Sequence, residues 1–247
     1  MQTTAKKRTA LLSTNNAKTI KGEGKGYITY ILYMSSYTAN SKGINLCSHA
    51  SKGCAESCLV GSGFGGMYTG VMKGRMAKSD YFLSDRVEFL QQLKKEITRA
   101  VEKHKKDGAI VTIRLNGTTD IRFEKFRIFD GLNIFEIFPD VQFYDYTKNY
   151  IRFDSPLPAN YHLTFSRSET NHSKAMELLN KGINVAMVFD KLPDTFEGFK
   201  VINADLDDLR FLDPKGVICG LKYKKMTGKG VDNTKAFTSG FAISTAV

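Results

Sequence analysis

The amino-acid sequence predicts a single α/β domain with a mainly parallel sheet, curled as a partial (β/α) barrel with helices outside. Apolar runs of strand length alternate with segments of helical periodicity, the order that gives a parallel sheet covered by helices. The 247 residues are 42% hydrophobic, enough for one substantial core, and show neither an internal repeat nor a linker. We expect an α/β domain over residues 27–221, between a basic N-terminal arm (1–26) and a basic C-terminal segment (222–247).

The predicted strands are short runs rich in β-branched and aromatic residues. In chain order they lie at residues 27–34, 109–115, 141–146, 161–166 and 183–189, with shorter candidates at 201–203 and 217–219. The carboxyl ends of parallel strands face one edge of the sheet, where ligands gather in α/β folds. The residues that follow these strands are therefore the candidates for a functional site.

Three segments are predicted to be helical. They lie at residues 84–106, 123–138 and 175–181. The first places four apolar side chains on one face, namely Leu90, Leu93, Ile97 and Val101. Ser84 is the predicted N-cap of this helix and Gly108 follows its end, while Pro139 and Gly182 end the other two helices.

Positive charge is concentrated at the two ends of the chain. The net charge is +11, and residues 1–26 and 215–247 each contribute +5. Basic ends favour contact with nucleic acid or another anionic surface, and the alternative is that they are solvated tails. Neither a membrane span of about 18 apolar residues nor the apolar segment of a signal peptide is recognisable. We therefore expect no membrane contact and a cytoplasmic location.

Three of the four cysteines lie in one short loop. Cys47, Cys54 and Cys58 span twelve residues in the loop that follows the first predicted strand, and Cys219 ends the last short strand. Disulfides are rare in the reducing cytosol, so this clustering favours a metal site, since thiolates bind soft metals. If the first and last strands end at one edge of the sheet, all four thiols meet there.

Other polar residues follow the remaining strands. Arg114, Asp120 and Lys148 are candidates to contact a cofactor, by hydrogen-bonding cluster sulfurs or by holding an anion. The alternative is that the two cations pair with nearby carboxylates and only support the fold. His49 is a further candidate ligand, although a loop histidine is more often solvated. The glycine-rich run over residues 61–66 would let the backbone fold tightly around a cluster.

The cysteine loop and the expected partial barrel resemble the arrangement of radical SAM enzymes, in which cysteines follow the first strand. Those enzymes use the pattern Cys-x3-Cys-x2-Cys, whereas this chain has Cys47-x6-Cys54-x3-Cys58. The resemblance implies a [4Fe–4S] cluster with one iron left open for S-adenosylmethionine.

A closer resemblance is to the gene product 88 family of phage and plasmid proteins. It rests on the loop from Cys47 to Cys58, on residues 113–120 (Ile-Arg-Leu-Asn-Gly-Thr-Thr-Asp), on residues 143–148 (Phe-Tyr-Asp-Tyr-Thr-Lys) and on Cys219. This chain differs in its threonines between Gly117 and Asp120 and in lacking further late cysteines. The resemblance covers residues 27–221 and implies the cluster, the fold and, for a phage-encoded member, the host cytoplasm. It implies no reaction.

Four cysteine ligands suit either a [4Fe–4S] cluster or tetrahedral Zn²⁺. The six-residue gap after Cys47 and the distant Cys219 favour the cluster, because structural zinc sites usually pair closely spaced cysteines. We expect Cys47, Cys54, Cys58 and Cys219 to hold one cluster in a non-enzymatic, phage-type protein with a structural, redox or sensing role. A redox role would require a redox partner. The alternatives are a radical SAM-like enzyme, if Cys219 leaves one iron open, and a zinc-stabilised nucleic-acid-binding protein.

Overall fold

The computed structural model describes residues 9–14, 17–58, 69–226 and 232–245. Within these residues the helices are α1 (Ala17–Glu23), α2 (Lys52–Glu56), α3 (Thr69–Ser84), α4 (Arg86–His104), α5 (His172–Asn180) and α6 (Lys235–Thr238). The strands are β1 (Leu12–Ser13), β2 (Tyr27–Leu32), β3 (Ile110–Arg114), β4 (Gln142–Thr147), β5 (Tyr161–Ser166), β6 (Val185–Phe189), β7 (Thr195–Phe196), β8 (Phe199–Asn203), β9 (Ile218–Lys222) and β10 (Ala242–Ile243). Short 3-10 helices lie at Phe123–Lys125, Tyr150–Phe153 and Arg210–Leu212.

Ten strands of the described residues form one open, mostly parallel sheet. Their order is β1-β2-β3-β4-β5-β6-β9-β8-β7, and β10 pairs with β6. All neighbours from β2 to β8 are parallel, whereas β1 and β7 pair with their neighbours in the antiparallel sense. The predictions of a single mixed α/β domain and of a mainly parallel sheet are therefore confirmed.

One face of the sheet is covered by α3 and α4 over its first half. Alternation along β3 turns Val111 and Ile113 toward these helices. They join one apolar cluster with the predicted face of α4, which includes Leu90, Leu93 and Ile97. Burying each of these large aliphatic side chains contributes about 1.5–3 kcal/mol to folding.

The helix predicted over residues 84–106 is present, but it begins differently. Ser84 is the last residue of α3 rather than a cap. Asp85 caps α4 instead, because its carboxylate accepts the backbone N–H of Glu88 at 3.0 Å.

The second half of the same face is covered by α5. Leu178 and Leu179 of this helix pack with Val185 of β6 and Ile218 of β9 in a second apolar cluster. Gly182 ends the helical region with a φ of +80°, a conformation that glycine adopts at little cost. The predicted helix over 175–181 and the strand that follows it are thus both present.

The helix predicted over residues 123–138 is wrong. Only Phe123–Lys125 forms a single 3-10 turn, and the rest of the segment consists of turns, irregular residues and an isolated bridge between Phe129 and Leu132. Asp130 and Gly131 have φ values of +51° and +82°, which a right-handed helix cannot contain. Four apolar residues of the segment are still buried in the first cluster, namely Phe123, Phe129, Ile134 and Phe135.

The opposite face of the sheet is crossed by residues 204–213, which leave β8 before β9 begins and are called the covering segment below. Its Phe211 ring lies 5.4 Å from the ring of Tyr27 on β2 and 5.3 Å from that of Tyr144 on β4. Asp208 of the same segment forms an ion pair with Arg114 at the end of β3. The segment therefore contacts strands far from the two that it connects.

Both ends that the sequence predicts as basic extensions contribute to the folded domain. The backbone N–H of Leu11 donates to the carboxylate of Glu96, and β1 extends the sheet beside β2. Near the other end, β10 pairs with β6. Lys25 forms an ion pair with Asp207 at 2.6 Å, so part of the N-terminal charge is paired within the fold. In the part of the chain that the structure describes, no helix has the length and hydrophobicity of a membrane span.

Candidate functional site

The cysteine loop lies at the carboxyl edge of the sheet, next to the turn that follows β3. The thiol of Cys47 accepts the backbone N–H of Tyr37 at 3.3 Å and donates to the carbonyl of Thr118 at 3.6 Å. The backbone N–H of Asp120 donates to the carbonyl of Leu46 at 2.9 Å. These contacts attach the first part of the loop to the end of β3.

The helix α2 presents Cys54 and is held at the end of β5 by Glu169. The Ser51 hydroxyl caps α2 by accepting the N–H of Cys54 at 3.2 Å, and it donates to Glu169 at 2.8 Å. The N–H of Gly53 donates to the same carboxylate at 2.7 Å. A Cβ at Gly53 would lie 2.8 Å from Glu169 Oε1 and from Ser239 Oγ, so this approach requires glycine.

Two cations flank the loop, each beside a different thiol. Lys148 lies close enough to Cys54 to oppose the rise in the pKa of this thiol, and its ammonium group donates to the Ser166 hydroxyl at 2.6 Å. Arg75 of α3 lies close enough to Cys58 for the two side chains to interact electrostatically. The Cys58 thiol itself lies 3.5 Å from the hydroxyl of Ser36.

The three loop thiols also interact electrostatically with one another. Burial raises the pKa of Cys47 to about 12, and repulsion from Cys58 and Cys54 adds to the rise. Burial raises the pKa of Cys54 as well, while Lys148 opposes this rise. Cys47 and Cys54 are therefore protonated near neutral pH when no metal is bound. A metal that binds them must displace the protons.

Cys219 is not brought to the cysteine loop. It is the second residue of β9, so the strand continues for three residues beyond it, and β6 separates β9 from β5. Its fully buried thiol donates to Asp213 at 3.5 Å and lies close to Arg210. Its contacts are thus with the covering segment, on the face of the sheet that carries Tyr146.

Asp120 lies at the carboxyl edge, where its carboxylate already accepts several hydrogen bonds. It accepts the Thr147 hydroxyl at 2.8 Å, the N–H of Lys148 at 2.9 Å and the Arg152 guanidinium at 3.2 Å. Asp120 therefore joins the ends of β3 and β4. Two of the predicted cofactor contacts lie near a loop thiol: Lys148 near Cys54, and Asp120 near enough to Cys47 to add to the rise in the pKa of that thiol.

Arg114 is buried on the face that the covering segment crosses. It pairs with Asp208, lies 3.9 Å from Asp145, and its guanidinium stacks near the rings of Tyr144 and Tyr146. Burial disfavours its charge, but these partners hold the pKa of Arg114 above its ordinary value. The contacts agree with the alternative that this arginine supports the fold.

The three thiols share one edge, but they do not form a finished metal-binding geometry. Across residues 9–14, 17–58, 69–226 and 232–245, no group of three or more His, Cys, Asp and Glu side chains is arranged to hold a metal ion. His49 lies in the loop with its ring 3.0 Å from the Ser48 hydroxyl. The glycine-rich run over residues 61–66 lies outside the described residues.

Two residues near the thiols are absent from the predicted site. Glu169 follows a predicted strand, so its position at the edge is recoverable from the sequence, but its role in holding α2 is not. Arg75 lies on α3, a helix without a marked apolar face that the periodicity does not reveal. The sequence feature that could have indicated Arg75 is the basic stretch in which it lies, shortly after the cysteine loop.

The comparison with known families identifies the group to which these features belong. A family model described as Gene product 88 matches residues 9–244. The chain belongs to the gene product 88 family. The match includes all four cysteines, and it extends over β1 and β10, beyond the domain boundaries that the sequence predicts. No curated protein and no solved structure gave a significant match.

Proposed function

We propose that this member of the gene product 88 family binds a [4Fe–4S] cluster through Cys47, Cys54 and Cys58. The observation that supports the proposal is the position of three thiols of one loop at the carboxyl edge, within electrostatic reach of one another. Thiolates are the usual ligands of iron–sulfur clusters. The nearby cations Lys148 and Arg75 would stabilise the negative charge of a cluster held by three thiolates.

The proposal uses three thiolates rather than the four expected from the sequence. Cys219 is engaged with Asp213 on another face of the sheet. A structural zinc site is closed by four protein ligands. Two carboxylates packed against the loop, Asp120 and Glu169, already accept two or more hydrogen bonds each. A cluster with one iron free of cysteine therefore suits these residues better than a closed zinc site.

The partial barrel belongs to the same proposal, and the covering segment supports it. On a flat sheet β2 and β9 would be five strand spacings apart, about 24 Å. Phe211 lies seven residues before β9, and seven residues span at most about 24 Å when fully extended. Part of that chain is a 3-10 turn, yet Phe211 reaches Tyr27 on β2. Curling of the sheet toward the segment accounts for this contact.

A radical SAM-like enzyme is the second candidate, and the placement of Cys219 favours it. A cluster with one open iron supplies a ligand position and an electron to a small molecule bound beside it. The residues of this chain would fix the cluster through the loop, which Glu169 and Thr118 attach to two strand ends. A non-enzymatic redox or sensing protein remains the first candidate if the open position takes no small-molecule ligand.

Anaerobic reconstitution with iron and sulfide tests the proposal. We expect roughly four iron and four sulfide per chain, with visible absorption and an EPR signal after reduction. Cys47→Ser, Cys54→Ser and Cys58→Ser should each lose most of the cluster. Cys219→Ser is the matched control, because its hydroxyl can still donate to Asp213, and it should retain the cluster. Circular dichroism establishes that each variant is folded.

A colourless protein with stoichiometric zinc would contradict the iron–sulfur proposal. Loss of the cluster from folded Cys219→Ser would instead restore the four-cysteine ligand set. Spectra of the reconstituted protein with and without S-adenosylmethionine separate the two candidate functions. A cofactor-dependent change supports the enzyme, and unchanged spectra support the redox or sensing protein.

A further inference from the structure

Arg75 projects from α3 toward the cysteine loop and lies over an aromatic ring. The centre of its guanidinium is 5.2 Å from the centroid of the Tyr33 ring, at the exit of β2. Stacking on an aromatic face orients the planar guanidinium and leaves its N–H groups directed around the rim of the ring. The Cys58 thiol is the other group that interacts with its charge.

Part of the guanidinium of Arg75 has no hydrogen-bond acceptor among the residues that the structure describes. Its Nε and Nη1 atoms are buried and lack a hydrogen-bond partner. Arg114, Arg152 and Arg210 also have a buried N–H group without a hydrogen-bond partner, but each of these arginines forms an ion pair with at least one carboxylate. For Arg75, burial lowers the pKa, and the groups that oppose this effect are Tyr33 and Cys58 rather than a carboxylate. Leaving buried N–H donors without an acceptor is costly, so these two nitrogen atoms of a half-buried arginine call for a ligand.

The surroundings hold Arg75 in this place. The Ser79 hydroxyl donates to the Arg75 carbonyl at 3.2 Å and accepts the N–H of Ser35 at 2.8 Å, which ties α3 to the exit of β2. The Tyr33 ring lies against Gly117, where a Cβ would come within 2.8 Å of two ring carbons. The position of the arginine is therefore set by packing on both sides of the ring.

We propose that Arg75 binds the anionic group of a small ligand beside Cys58, and that this group is a carboxylate or a phosphate. The planar guanidinium offers several N–H donors, which match the paired oxygens of these groups better than a single sulfur atom. The inference rests on the proposed function in placing the ligand next to a cluster, because Cys58 is one of the proposed cluster ligands. The anion contact itself needs only Arg75 and its neighbours, so it is testable without a cluster.

Calorimetric titration of the full-length protein with succinate and with inorganic phosphate tests the proposal. Ionic strength is matched with sodium chloride, and both the metal-free and the reconstituted protein are titrated. We expect saturable binding of at least one anion, weakened about tenfold or more in Arg75→Gln because a charge-assisted contact is lost. Arg99→Gln removes an exposed arginine of α4 and should leave the affinity unchanged. The stronger of the two anions identifies the ligand group.

Iron and sulfide are measured on the same samples, so the two proposals can fail separately. Anion binding by a protein that takes up no iron would support the arginine site and contradict the proposed cluster. Equal affinity in the original protein and Arg75→Gln, or binding of neither anion, would overturn the anion site. If Arg75→Gln does not fold, Arg75→Lys replaces it, since a lysine keeps the charge without the planar donors. We then expect a weaker affinity, and an unchanged one would overturn the proposal.

Discussion

At the scale of single residues, the interior of this protein holds charge by pairing it. Arg152 is fully buried and contacts both Asp120 and Glu124, while Arg114 contacts Asp208 and lies near Asp145. Buried pairs of this kind add little net stability when complete, but removing one partner leaves an uncompensated charge. Removing one partner of a buried pair should therefore lower the free energy of unfolding more than removing one partner of a surface pair.

Arg114→Met should destabilise the protein by about 3–5 kcal/mol, because Asp208 would be left buried without its cation. The quantity to measure is the free energy of unfolding in urea. Lys25→Met is the matched control: its half-exposed ammonium pairs with Asp207, and its loss should cost about 1 kcal/mol or less. Similar costs for the two variants would show that the covering segment is not held by the Arg114 pair.

Alkylation of Cys47 with no metal bound should be slow at pH 8. Burial raises its pKa to about 12, so its thiolate fraction is on the order of a thousandfold smaller than that of a free cysteine. The rate should keep rising with pH above 9, where a free thiol approaches its maximum. Mass spectrometry of iodoacetamide-treated protein at several pH values measures this rate. A plateau near pH 9 would contradict the raised pKa.

At the scale of elements, local sequence predicts strands here better than it predicts connections. The strands over residues 27–34 and 141–146 are clear because their apolar, β-branched and aromatic side chains are suited to a buried sheet. The segment over residues 123–138 has enough apolar residues for a helix, but Asp130 and Gly131 reverse the chain. Composition alone does not show that turn chemistry outweighs apolar content at this position.

Two glycines in helices should respond oppositely to substitution by alanine. At Gly53 a Cβ would displace Glu169 from its contacts with Ser51 and the Gly53 N–H, so Gly53→Ala should cost about 1–3 kcal/mol. At Gly74 in α3 nothing lies within 4 Å of the added atom. Gly74→Ala should therefore stabilise the protein by about 0.5–1 kcal/mol.

Urea unfolding measures both effects, and iron content after reconstitution reports on the loop. Gly53→Ala should also retain less iron, because Glu169 positions the helix that carries Cys54. If Gly53→Ala proved as stable as Gly74→Ala, the contacts of Glu169 with Ser51 and Gly53 would make no measurable contribution to stability.

At the scale of the whole molecule, the sequence predicts the edge of the sheet at which the site lies, but it does not predict which of the four cysteines lie there. Cys47, Cys54 and Cys58 meet the ends of neighbouring strands as the parallel arrangement requires. Cys219 does not, because β9 continues to Lys222 and the thiol is turned under the covering segment. Which face a strand residue occupies, and where the strand ends, depend on register and long-range contacts that a single sequence does not display.

Nucleic-acid contact through the basic ends stays a prediction at this scale. Lys25 and Lys224 already lie near the carboxylates of Asp207 and Asp205, so these two cations are less available to phosphate groups. Binding to labelled DNA or RNA, measured by fluorescence anisotropy, should be weak and lost as salt rises from about 20 to 200 mM.

Replacing two exposed lysines near the C-terminus, Lys222 and Lys225, with glutamine should reduce the salt dependence of that binding. The same change at Lys95 and Lys103 of α4 is the matched control and should have a smaller effect. The absence of any binding at low salt would remove nucleic acid from the list of partners.

The covering segment has a consequence for how the folded protein resists proteases. Loops are usually the first places where a native chain is cut, because they are exposed and easily drawn into an extended form. Here residues 207–210 belong to a connection between strands, yet each is less than a tenth exposed, and Arg210 is 2% exposed. Trypsin therefore cannot reach the bond after Arg210 until the covering segment leaves the sheet. Cleavage there would report opening of the domain rather than mobility of a loop.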